Sequence, residues 1–293
     1  MAVTRVHSSD CQVFVPDFFN NLRERLPLVQ SLSISTSKDV TDLQPLGQFC
    51  YTDKILNSNQ TTELSLDHLI STGVSGVNPF YKFQEQQEGF LSVSTTRFKV
   101  KDNAGESLIS GAYLNSYSLN GAVGGLVGGS LGYEADTITF NAENTLTDAD
   151  ESDDSLSQYN VFRPRNISIT TTAGLANEGI ESSALNIQSF DLNVNIGRES
   201  KNRIGSRIPA LRYPVLPAEG SLGFSVIKNQ VTGINLSNLV LEKGTIEIDL
   251  RDDEDNSVMN FTTSGCSLAD VSESFTLDGN TTLEFSYDFS IKK

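Results

Sequence analysis

A chain of 293 residues has room for two domains of about 150 residues each, and its 38% hydrophobic content is enough for packed cores. A formal net charge of −16, from 37 Asp and Glu against 21 Lys and Arg, excludes a protein that grips nucleic-acid phosphates, which needs a basic face. Cys11, Cys50 and Cys266 lack the spacing of a disulfide framework or zinc site, and His7 and His68, in unrelated contexts, leave little from which to build a Ser-His-Asp or Cys-His arrangement.

In chain order, Met1–Arg5 has no apolar run behind it, which predicts no secretory leader, and no uninterrupted apolar segment predicts a membrane span. The chain therefore reads as the product of a reducing cytoplasm. Pro16 to Pro27 carry the one helical pattern, with Phe18, Phe19, Leu22 and Leu26 at helical spacing behind the cap residue Asp17. Period-two runs follow at Leu28–Ile34, Thr61–Leu66, Phe90–Val93 with Arg97–Lys101, Tyr113–Leu119 and Ser130–Phe140. Asp102-Asn103-Ala104-Gly105 predicts a turn, and Gly121–Gly129 a flexible loop or turn. Ser71–Gly89 reads as a surface excursion, and His68 as a strand-edge imidazole. Residues 141–160 read as a solvated acidic linker, and strands are predicted beyond it at Asn166–Thr172, Leu185–Ile196, Gly220–Ile227, Leu239–Leu250 and Thr281–Ile291.

The two halves resemble each other. Val29-Gln30-Ser31-Leu32-Ser33-Ile34 returns 158 positions later as Ile187-Gln188-Ser189-Phe190-Asp191-Leu192, and the same shift carries Leu64 and Leu66 onto Leu222 and Phe224. Phe98–Asp102 resembles Ile248–Asp252, and Ser110-Gly111-Ala112-Tyr113-Leu114 resembles Ser264-Gly265-Cys266-Ser267-Leu268, at offsets of 150 and 154. Strand patterns kept in order while loop lengths drift predict a duplicated β-domain, the first over 1–158 and the second over 159–293.

The connector Gly197–Glu219 carries Arg198, Lys201, Arg203, Arg207 and Arg212 in an otherwise acidic chain, whereas its counterpart Ser35–Gln60 has mixed charge. Three readings stay open: a contact with phosphate, a solvated hairpin, or a contact between stacked copies. For the last, the acidic partners are loops containing Asp148, Asp150, Asp153 and Asp154, and Asp252, Asp253 and Asp255. Asp148, Asp150 and Ser152 have the oxygen spacing that opens a calcium loop, but the glycine and the closing Glu are missing, so an acidic turn is expected. Gly121-Ala122-Val123-Gly124-Gly125-Leu126 is no dinucleotide loop, and no constellation supports an enzyme or a cofactor.

The run Leu-x-Ser-Tyr-Ser-Leu, a glycine-containing spacer, then Gly-Ser-Leu-x-Tyr-Glu (Leu114 to Glu134), together with Gly220-Ser221-Leu222-Gly223-Phe224 and the paired strand motifs, resembles the tail tube proteins of long-tailed bacteriophages from Leu28 to Ile291. The resemblance implies a mostly β fold of two tandem sandwich or half-barrel domains with one or two short helices. It implies a structural virion protein whose stacked rings form a DNA-ejection conduit with an acidic lumen. A duplicated domain implies a homotrimeric ring of pseudo-sixfold symmetry, with a homohexamer as the alternative. The implied partners are further copies, other tail proteins and DNA that passes without specific binding, with no membrane involved. The implied location is the virion, after the host cytoplasm. On this reading Arg198–Arg212 is the inter-ring contact loop. Two other readings stand beside it: another virion component (tail terminator, baseplate hub or capsid decoration), and a ligand-binding β-sandwich pair, against which the absence of Trp counts.

Overall fold

A computed structural model of the chain describes residues 12–16, 23–26, 28–37, 40–43, 53–56, 61–72, 96–102, 105–140, 160–163, 167–171, 187–204, 206, 208–227, 243–251, 254, 256–274 and 281–291. The described first half contains β1 (Gln12–Pro16), β2 (Arg23–Arg25), β3 (Val29–Ser37), β4 (Val40–Leu43), β5 (Asp53–Leu56), β6 (Thr61–Leu69), β7 (Ser71–Thr72), β8 (Thr96–Asp102), β9 (Gly105–Ala122), β10 (Gly128–Ala135) and β11 (Thr137–Phe140). After these come β12 (Asn160–Val161), β13 (Ile167–Thr171), β14 (Ile187–Asn195), β15 (Arg198–Lys201), β16 (Leu211–Pro214), β17 (Ala218–Ile227), β18 (Gly244–Arg251), β19 (Ser257–Ser274) and β20 (Thr282–Ile291). The protein is mostly β, and a large antiparallel sheet dominates it.

Among the described residues that sheet has 14 strands, and its main path runs β13-β18-β19-β20-β17-β14-β9-β10-β6-β3. It crosses the boundary predicted at 158/159 without a break, because β14 pairs with β9 from Ser189↔Ala122 to Asn195↔Ser116. Phe162, beyond that boundary, is clipped into the first half: its N–H donates to the Ile70 carbonyl at 3.1 Å and its carbonyl accepts from Val127 at 3.2 Å.

Alternation explains the two faces. Leu64 and Leu66 of β6, Leu192 and Val194 of β14, Leu222 and Phe224 of β17, and Phe285 and Tyr287 of β20 are buried in one continuous core, while the residues between them point to the opposite side. Phe98 of β8 meets Tyr133 of β10 edge-on at 4.7 Å between ring centroids, and Ile167 and Ile169 of β13 lie beside Gly121 and Phe190. The β8 and β13 ribbons therefore cover the apolar side.

The 18-residue strands β9 and β19 serve both layers. β9 pairs with β8 up to Ala112 and with β10 from Tyr113 onward, and β19 changes from β18 to β20 between Cys266 and Ser267. Each changes partner beside a left-handed glycine, Gly111 (φ 68°) or Gly265 (φ 72°), a conformation other residues adopt only with strain.

Several expectations are corrected. No helix occurs among the described residues, so none is long and apolar enough to cross a membrane. Of the predicted helix Pro16–Pro27, Pro16 ends β1 and Arg23–Arg25 form β2; residues 17–22 and Pro27 lie outside the described residues. Pairing overrides the local pattern here, since β1 is held by both β2 and β8. Tyr113–Leu119 is part of a much longer strand, and Ser130–Phe140 breaks at Asp136 into β10 and β11. Of Gly121–Gly129, expected as a loop or turn, Gly121 and Ala122 end β9, Gly128 and Gly129 open β10, and residues 123–127 make the turn, where the Gly125 N–H donates to the Ala122 carbonyl at 2.9 Å and Val127 is fully buried. His68 is buried inside the sheet between β3 and β10, not at an edge. Of the Ser71–Gly89 excursion, Ser71 and Thr72 form β7 and residues 73–89 lie outside the described residues.

Candidate functional site

Among the described residues, the polar side of the sheet is a broad and chemically uniform surface. Cross-strand neighbours share a face, so the pairing registers read it row by row. One row runs Ser31, Asp67, Ser130, Ser118, Asn193, Ser221, Asp288, Ser267 across eight strands. The next row on one side runs Ser33, Ser65, Gly132, Ser116, Asn195, Glu219, Ser290. On the other side lie Gly128, Asn120, Asp191, Gly223, Ser286 and Asp270. Small hydroxyls, amides and carboxylates alternate, and no Lys, Arg or His occupies this face of the eight strands among the described residues. Asp67 accepts from the Ser31 hydroxyl at 2.5 Å, and the Ser31 and Ser130 hydroxyls hold its carboxyl below the usual range. The face therefore stays anionic across the physiological range.

The face hollows into an open groove of about 890 Å³ bounded by Ser116, Asn195, Glu219, Ser221 and Asp288. Lys243 stands at its rim, just before β18. Polar groups from every strand that lines it supply hydrogen-bond partners along the groove, unlike the mainly apolar lining of a small-molecule pocket.

A second cluster lies where the connector crosses to the first half. β15 and β16 pair from Arg198↔Pro214 to Lys201↔Leu211, forming a hairpin. Ile196 N–H donates to the Asn115 carbonyl at 2.8 Å and Arg198 Nε to the Leu114 carbonyl at 2.9 Å, tying the base of the hairpin to β9. The Arg212 side chain is 1% exposed, with Nη1 3.0 Å from Glu134 Oε1 and Nη2 3.3 Å from Asp136 Oδ1. These contacts are ion pairs by distance without full hydrogen-bond alignment. Arg198 and Arg212 both lie over the Tyr113 ring, at 5.7 and 5.8 Å from its centroid. Burial pushes the Asp136 carboxyl up, Arg212 pulls it back down, and Glu134 raises it. Burial pushes the Arg198 guanidinium down and the Tyr113 phenol up.

The five basic candidates thus separate. Arg198 and Arg212 are turned onto this chain's own β9–β10 corner, so Arg212 is neither solvated nor available to a stacked copy. Lys201 is exposed and meets Glu199 of its own hairpin at 2.5 Å. Arg203 is exposed at the hairpin end, and Arg207 lies outside the described residues. Asp148, Asp150, Asp153, Asp154, Asp252, Asp253 and Asp255 also lie outside them, as does Ser152. The acidic partners brought to the connector are instead Glu134 and Asp136. Sequence reading missed both, although two carboxylates flanking buried Ala135 at a strand end were a visible signal. Comparison with protein-family models and with curated proteins finds no match for this chain.

Proposed function

We propose that this chain is a structural protein of a phage tail tube, built from a duplicated sandwich-like domain and assembled into rings that line a DNA conduit. The observation that carries the reading is the broad polar, anionic face of an eight-strand sheet. Among the described residues its path ends at β3, and the Ser267–Ser274 stretch of β19 pairs with β20 alone, so these two strands form the described edges. Open edges are a hazard that closure into a ring removes.

The duplication is supported by matching topology. β3-β6-β10-β9-β8 and β14-β17-β20-β19-β18 are the same order of pairing. Bulges fall at Val29/Ser31 and at Ile187/Ser189. The β4–β5 hairpin pairs Asp42↔Lys54 where β15–β16 pairs Ser200↔Arg212, again 158 positions apart.

Three copies would set 24 strands side by side, from eight in each chain. At about 4.8 Å between strands and a tilt of about 40°, such a barrel is about 48 Å across its backbone, wide enough for duplex DNA. Three copies of −16 give −48 per ring. A wall with that charge, and without cations on its strands, repels phosphate and lets a duplex slide. Negative-stain electron microscopy of the purified protein tests the reading: rings or tubes with a central hole support it, and a monodisperse monomer at every concentration contradicts it.

A further inference from the structure

The junction between the halves is a template for the contact between copies. Inside the chain, β14 lies along β9 with Asp191↔Asn120, Asn193↔Ser118 and Asn195↔Ser116. The hairpin that follows β14 then reaches over the β9–β10 corner, where Arg212 meets Glu134 and Asp136. Both partners of this junction have counterparts at the outer ends of the sheet. β3 and the β4–β5 hairpin correspond to β14 and β15–β16 at an offset of 158. β19 and β20 correspond to β9 and β10 at an offset of 154: Ser118↔Ser130 matches Ser272↔Glu284, Leu114↔Tyr133 matches Leu268↔Tyr287, and the bulge between falls at the same place.

Resting on the ring-forming reading above, we propose that a second copy of this chain docks by repeating this junction. β3 of one copy lies antiparallel along the C-terminal stretch of β19 of the next, and its β4–β5 hairpin crosses the β19–β20 corner. The offsets give the register: Ser33 opposite Ser274, Ser35 opposite Ser272, and Ser37 opposite Asp270 of the partner subunit. They also give the charge pair. Lys54 stands at the register position of Arg212, and Asp288 at that of Glu134. Ser35, Ser272, Ser274 and Asp288 are all exposed in the single chain. Asp288, with Ser267 and Gly265, borders the open groove at the corner that the hairpin would cover. Main-chain hydrogen bonds along two strand edges supply affinity, and the opposite charges that this register brings to positions 54 and 288 favour it over others.

Two experiments on the full chain test this. Ser35→Cys with Ser272→Cys, oxidised after assembly, is expected to give covalent dimers and trimers above the wild-type background from Cys11, Cys50 and Cys266. Ser31→Cys with Ser272→Cys, four residues out of register, is expected to give none. Lys54→Asp and Asp288→Lys are each expected to raise the protein concentration needed for assembly at least about tenfold, with far-UV circular dichroism unchanged, and the double variant is expected to restore it. Wild-type rings with no cross-link at this register, or with no response to either charge reversal, overturn the docking and leave the ring reading standing. A wild-type chain that never assembles overturns both.

Discussion

Arg212→Ala removes the cation that Glu134 and Asp136 share. The lost guanidinium is 1% exposed and sits 3.0 and 3.3 Å from the two carboxylates, whose side chains are 20% and 16% exposed. Deleting one partner of a buried ion pair costs about 3–5 kcal/mol, and the residual hydration of the acids puts this case near about 3 kcal/mol. In a chain of this size that lowers the melting temperature by about 5 °C. The loss also depends on pH in a defined direction. Asp136 is already raised by burial, and Arg212 opposes the rise. Without Arg212 its folded pKa climbs further above the unfolded value, so the added penalty is full at neutral pH and shrinks as acid protonates the carboxyl. Differential scanning calorimetry at pH 7 and pH 4.5 reads both effects, and hydrogen exchange reads the loosening of β15 and β16. A shift below about 1 °C, or a deficit that grows in acid, refutes the buried clasp.

The remaining predictions concern the bend, the buried imidazole and the anionic face. A Cβ on Gly111 would stand 2.1 Å from Asp136 Oδ2, whereas one on Gly265 meets nothing within 4 Å; Gly265→Ala should therefore cost about 1–2 kcal/mol for its left-handed backbone, Gly111→Ala clearly more, and equal losses in urea unfolding would contradict this. Burial pushes His68 from 6.5 down to about 4. The unfolded chain therefore takes up a proton in that window while the folded chain does not, and stability rises with pH between about 4 and 6.5, by at most about 3 kcal/mol. His68→Val, which copies Val226 at the matching position, should flatten that rise; an unchanged slope refutes the assignment. Asp191→Lys puts a cation in the middle of the polar face at a stability change of about 0.5 kcal/mol or less. It should make assembled protein retain duplex DNA at low salt, which wild type should not do; no gain in retention counts against the face as the DNA-facing wall.

What could be read from the sequence follows from how each segment is buried. β6, β17 and β20 alternate cleanly because one side meets the core and the other water, and period-two reading finds them. β19 escaped as a strand, although its centre was matched to β9. Its buried positions Phe261, Cys266 and Leu268 are out of phase across the bend at Gly265, and most of the rest is Ser, Thr, Asn, Asp and Glu. At the described flanks of the predicted helix, Pro16 and Arg23–Arg25, strand pairing wins over helical spacing, and part of that pairing comes from β8, far along the chain. The basic connector was visible as charge, but a partner 78 residues before Arg212 is a long-range fact that no local pattern carries. The offsets of 158 and 154 were legible and now align the pairing registers of the two halves.

Native mass spectrometry of the purified protein, taken across a range of concentrations, tests most directly whether twin halves close a ring. Closure by three chains of 31.9 kDa predicts a discrete species at 95.7 kDa and multiples of it as rings stack. A single peak at 31.9 kDa under every condition would contradict the account.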